Sequence, residues 1–169
     1  MRVFLIFIML VLSLISCNSK SQNYSDTIVE NEEVNTGFVL EMREEERALI
    51  SWYLFAYGNE CMNDSEQIKC QLLALLNIDD ECSSIHINYL KKWFSSNALM
   101  QFKLQNCPNL PQNAAIQNLI EKMAISRVSD TLFFTIKVSG LNDLQEKSWN
   151  IERTDKYRLY DGQLISVSR

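Results

Sequence analysis

Residues 156–168 read KYRLYDGQLISVS. Two runs of aromatic and aliphatic side chains flank Asp161-Gly162, and Asp-Gly between such runs is a strong hairpin signal. The segments before it agree. SWNIERT, residues 148–154, sets Trp149 and Ile151 on one side. TLFFTIKVSG, residues 131–140, puts Leu132, Phe134, Ile136 and Val138 on one face at a two-residue period. A Ser129-Asp130 turn joins it to MAISRV, residues 123–128. The C-terminal part is therefore predicted as an antiparallel sheet of four to five strands.

Upstream the period changes. Residues 40–57, LEMREEERALISWYLFAY, repeat apolar side chains at three- and four-residue steps and meet Gly58, a helix stop. Glu44, Glu45 and Glu46 suit the positive end of that helix and are read as a solvated face. A second helix starts at Asp64 or Ser65 and runs through QIKCQLLALLNI to residue 78. A third starts at Ser83 or Ser84 and carries Ile85, Tyr89, Leu90, Trp93 and Phe94. Residues 98–104 continue it or form a separate turn. CPNLP, residues 107–111, is a loop, because proline lacks the donor a helix interior needs. Residues 113–121 read as a short helix. The expected fold class is α+β: three or four N-terminal helices packed on the C-terminal sheet. This element order resembles NTF2-like and cystatin-like folds. The resemblance implies a pocket between helix and sheet and carries over no catalytic residue.

The N-terminus supplies an address. Met1-Arg2 precedes VFLIFIMLVL, residues 3–12, an apolar run too short for a bilayer helix of about 20 residues and suited to a secretory signal. Leu14-Ile15-Ser16-Cys17 follows. It resembles the lipobox of bacterial lipoproteins. That resemblance implies cleavage before Cys17 and attachment of diacylglyceryl and acyl chains to it, including palmitate. Several buried acyl chains give stable membrane anchoring where one does not. Asn18, with no aspartate after the cysteine, points to the outer membrane if the host is Gram-negative. The expected organisation is a signal over 1–16, a flexible tether over 17–37 and one globular domain over 38–169. A tether of about 20 residues reaches about 25 Å.

Removing Cys17 leaves Cys61, Cys70, Cys82 and Cys107. An even number in an exported chain implies two disulfides, in one of three pairings. Cys70–Cys82 with Cys61–Cys107 is favoured, because the first staples the turn between two predicted helices. The spacings build no zinc site, even with His86 as a fourth ligand.

Several function classes are excluded or demoted. The formal charge is −5, and loss of Arg2 with the signal makes it −6, so the chain repels nucleic-acid phosphates. Four isolated glycines provide no phosphate loop. His86, the only histidine, is the natural candidate for acid–base work, yet SSIHINY places it at a helix start as a surface or capping residue. A His–Ser or His–Cys pair needs folding to bring the nucleophile to it. Asp79-Asp80-Glu81 lacks the spacing of a calcium loop. Glu121, Glu146, Glu152 and Asp155 offer carboxylates for glycoside hydrolysis without a spacing that selects two. Trp52, Trp93 and Trp149 lie on apolar stripes and are read as core.

The sequence thus leads us to expect no catalytic, cofactor or metal residue. The expected function is that of a lipid-anchored, non-enzymatic envelope protein binding another envelope protein or a small ligand. An immunity-type role against an incoming toxin is its more specific form. The alternative is a small exported hydrolase using a helix–sheet pocket with His86 or a carboxylate.

Overall fold

The computed structural model describes residues 23–57, 67–78, 82–107 and 116–167. They form one antiparallel sheet in the order β2-β1-β3-β4-β5-β6. The strands are β1 (Tyr24–Glu30), β2 (Glu33–Val34), β3 (Ile116–Val128), β4 (Thr131–Asn142), β5 (Lys147–Tyr160) and β6 (Gln163–Ser166). Among the described residues, five helices stand between β2 and β3: α1 (Thr36–Glu41), α2 (Glu44–Tyr57), α3 (Ile68–Leu75), α4 (Ser84–Phe94) and α5 (Ala98–Asn106).

The expectation of four to five strands is corrected to six. The additional pairing comes from the region read as tether. Residues 24–34 form a hairpin whose first strand lies along β3. Its composition concealed it: Ser25, Asp26, Thr27 and Glu30 surround only two large aliphatics. A bulge between Thr27 and Val29 turns both Ile28 and Val29 into the core, fully buried, so two side chains do the work of an alternating run. The short helix expected over 113–121 is also corrected, since β3 begins at Ile116. SWNIERT and KYRLY, read as separate runs, are one strand, β5.

β4 is the centre of the core. Leu132, Phe134, Ile136 and Val138 are fully buried under the helices, while Phe133, Thr135 and Lys137 face the other side and are only half-buried. Gly140 on this strand is a point of close approach. The Trp149 ring covers it, and a Cβ added there would lie 2.1 Å from Trp149 Cε2. Of the tryptophans, Trp52 and Trp93 are core and Trp149 is partly exposed. The Asp161-Gly162 turn has positive φ at both residues, 47° and 70°, as a two-residue hairpin of this kind requires.

α2 is buried nearly all round, from Ala48 to Leu54. A helix in that state lies inside a structure rather than along its surface. α4 and α5 fold back on each other at Asn97, whose side chain caps α5 through Met100 N at 3.0 Å. This brings the start of α4 to the end of α5, where Cys82 and Cys107 form a disulfide with Cα atoms 5.6 Å apart. The expected pairings Cys70–Cys82 and Cys61–Cys107 are therefore corrected. Cys70 is also disulfide-bonded. Cys61, the lipobox with Cys17, and Asp79-Asp80-Glu81 lie outside the described residues. Among the described residues no helix is long and apolar enough to cross a membrane.

Candidate functional site

α2 carries three polar contacts into the core. The first involves Glu45 and Glu46. Arg127, on the covered face of β3, places Nη2 2.5 Å from Glu45 Oε1 and 2.8 Å from Glu46 Oε1. Arg127 and Glu46 side chains are 4% and 3% exposed. Glu46 Oε1 also accepts from the Tyr24 hydroxyl, and its Oε2 accepts from Arg43 N at 3.0 Å, closing the helix start. The expectation that Glu44 to Glu46 form a solvated face thus holds only for Glu44. Burial lowers the Arg127 pKa, but its bonds to Glu46, Tyr24 and Glu45 outweigh this and raise it overall. Nothing in the cluster is left unpaired to act on a substrate. Arg127 had a legible signal: it follows Met123 and Ile125 on the buried face of a strand, where a charge demands partners.

The second contact joins Ser51 to His86. Ser51 is fully buried and His86 is 2% exposed. This corrects the surface reading of His86. Folding does supply the hydroxyl that a His–Ser pair needs: Ser51 Oγ lies 2.7 Å from His86 Nε2. The other ring nitrogen decides what the pair can do. Cys82 N–H donates to His86 Nδ1 at 3.3 Å. A backbone amide can only donate, so Nδ1 is the bare nitrogen. The neutral ring then carries its proton on Nε2 and donates to Ser51. A general base for a serine nucleophile requires the opposite, a bare nitrogen facing the hydroxyl. Burial, then the nearby Lys69 ammonium, lowers the ring's pKa to about 4. Ser83 caps the same helix by accepting from His86 N at 3.1 Å. His86 is therefore a fastener between α2, the start of α4 and the disulfide at Cys82.

The third contact is Tyr53. Its ring stacks on Phe134 at 4.2 Å, and its hydroxyl donates to Asp155 and lies 3.0 Å from the Tyr157 hydroxyl. Arg153 holds Asp155 from the outer side and donates to the Tyr57 hydroxyl at 3.3 Å. Asp155 is thereby committed to the fold. Glu121 pairs with Lys137 at 2.6 Å, Glu152 stands opposite Lys137 on the uncovered face, and Glu146 is in the β4–β5 turn. The four carboxylates do not converge. Among the described residues no group of three or more His, Cys, Asp or Glu is placed to hold a metal.

Away from these contacts, a cleft of about 470 Å³ opens between the start of α3 and the ends of β3 and β4. Ile68, Leu119, Ile120 and Leu141 supply its apolar surface. Gln67, Gln117, Asn118 and Ser139 supply neutral hydrogen-bonding groups, and Lys69 is the charged residue among the described lining. Its size suits a small ligand or a short chain segment. Neither Ser51 nor His86 lines it. Lys69 connects the two regions, since it borders the cleft and acts on His86. A helix–sheet pocket was expected from the fold resemblance, but the sequence named none of these residues as its lining, because they come from three segments and none belongs to a motif. The chain matches no protein-family model, no curated protein and no solved structure.

Proposed function

We propose that this chain is a lipid-anchored protein of the cell envelope whose domain binds a partner through the α3–sheet cleft and does no chemistry on it. The lipobox-like Leu14-Ile15-Ser16-Cys17 supports the anchor, with acyl chains on Cys17. The observation that carries the binding reading is the cleft lining: aliphatic walls and neutral hydrogen-bonding side chains. That combination recognises a ligand that is partly apolar and offers amide-like polar groups. A peptide segment of another envelope protein has this chemistry. The tautomer of His86 favours this reading over a hydrolase, because the Ser51 hydroxyl faces a donor.

The test is photo-crosslinking in intact envelopes, with a benzophenone side chain at Leu119 in the cleft and, as a control, at exposed Val128. The expected result is one defined protein adduct from position 119 and none from position 128. Equal labelling at both positions, or none at 119, overturns the binding site. The intact mass of the same purified chain checks the anchor: it should begin at Cys17 and carry the lipid.

A further inference from the structure

β1 begins at Tyr24, so only Asn18 to Gln22 lie between Cys17 and Asn23, the first described residue. A peptide of that length reaches at most about 20 Å, whatever its conformation. Asn23 is tied to one end of the sheet. Its Oδ1 accepts from Ser129 N at 3.0 Å, in the turn between β3 and β4. Tyr24 stands opposite Arg127. The same end carries Thr131 opposite Arg158, and the Asp161-Gly162 turn. The cleft is at the other end. Its strand residues, Gln117 to Ile120 and Ser139 to Leu141, begin roughly 25 Å along the sheet from Arg127.

The exposed side chains differ between these ends. On the face away from the helices, Val128, Thr131, Arg158 and Ile165 are successive partners across four strands. Tyr160 follows Arg158 on that face by strand alternation. Val128 and Tyr160 are 51% and 69% exposed, and Ile165 is exposed beside them. Further along the same face the side chains are charged. Glu121 pairs with Lys137 at 2.6 Å, Lys122 pairs with Glu30 at 3.0 Å, and Glu152 stands opposite Lys137.

We infer that the end of the sheet bearing Val128, Tyr160 and Ile165 rests on the lipid surface, and that the cleft opens away from it toward the aqueous phase. The inference rests on the lipid at Cys17 proposed above. The short link sets the Asn23 end beside the bilayer. Two aliphatic side chains with a tyrosine suit the boundary between headgroups and acyl chains. If the sheet lay flat, the ion pairs further along would lose water, so it stands on its end. Arg158 is paired with Asp130 at 3.4 Å, and Asp161 lies in the turn, so the link rather than charge holds this end at the lipid. The cleft then takes a partner that arrives from the aqueous side, not a lipid.

The test uses the lipidated full chain in vesicles of phosphatidylethanolamine and phosphatidylglycerol that carry nitroxide-labelled lipid. A small fluorescent side chain replaces Tyr160 in one variant and Leu144, exposed in the β4–β5 turn at the far end, in another. Nitroxide quenching at position 160 should be several-fold stronger than at 144. Val128 gives a second site near the link and should follow Tyr160; it decides alone if the change at Tyr160 disturbs the neighbouring turn. Equal quenching at the two ends, stronger quenching at 144, or none at either end would each overturn the inference. Intact mass separates the causes. A chain that carries lipid but is not quenched at 160 or 128 rejects the orientation and keeps the anchor. A chain without lipid rejects both.

Discussion

Two polar clusters on α2 meet the cost of burial in opposite ways. At its start, Arg127 keeps its charge and meets two carboxylates and the hydroxyl that shares one of them. Midway along, His86 gives up its charge and sits as a neutral ring between a hydroxyl and an amide. The guanidinium cannot lose its proton at any ordinary pH, so the fold had to bring anions to it. The imidazole loses its proton near neutrality, so burial beside Lys69 was enough to neutralise it. A buried titratable group is thus a sign of function only after its partners have been counted. Here both clusters are satisfied within the fold.

Breaking the charged cluster should have the largest effect. Arg127→Met strands Glu45 and Glu46, and the expected loss is roughly 3–5 kcal/mol in urea unfolding at pH 7. The triple change Arg127→Met, Glu45→Gln, Glu46→Leu should recover most of it. A loss below about 1 kcal/mol in the single variant would show that water reaches these groups.

Next is the link that holds Cys82, and with it the amide that orients His86. Replacing both Cys82 and Cys107 by alanine opens a link spanning a sequence separation of 25. The expected loss is about 3.5 kcal/mol by loop entropy, read from the same unfolding curves.

The neutral cluster should respond to pH. The His86 pKa is about 4 in the folded chain, against the ordinary 6.5 when unfolded. The unfolded chain therefore binds the proton first as pH falls. Stability from this group is complete above about pH 6.5 and is lost on acidification toward pH 4, by up to roughly 3 kcal/mol. His86→Gln should flatten that part of the profile. Ser51→Ala should cost least, about 2 kcal/mol, because it leaves the Nε2 proton without an acceptor.

The sheet was largely legible because β4 and the Asp161-Gly162 hairpin follow strand alternation and turn chemistry. Local signals also located α2 and α4. What escaped depended on tertiary partners. β1 has only Ile28 and Val29 to declare it, and a bulge makes them consecutive. The burial of His86 follows from α2 passing over the start of α4, which nothing in SSIHINY records. Ser51 was legible only as a polar residue in a helix apolar on every side. The disulfide pairing required the α4–α5 reversal, since Cys82 and Cys107 are brought together by folding rather than by spacing. The cleft is assembled from α3, β3 and β4, and no single segment shows it.

The central claim is that His86 fastens the core and is not a base for Ser51. Because the chain has one histidine, nitrogen NMR of the imidazole reads it without assignment. The expected result is a neutral ring protonated on Nε2 at pH 7, titrating near pH 4. A ring protonated on Nδ1, titrating near 6.5 or above, would leave a bare nitrogen facing Ser51 and would contradict the account.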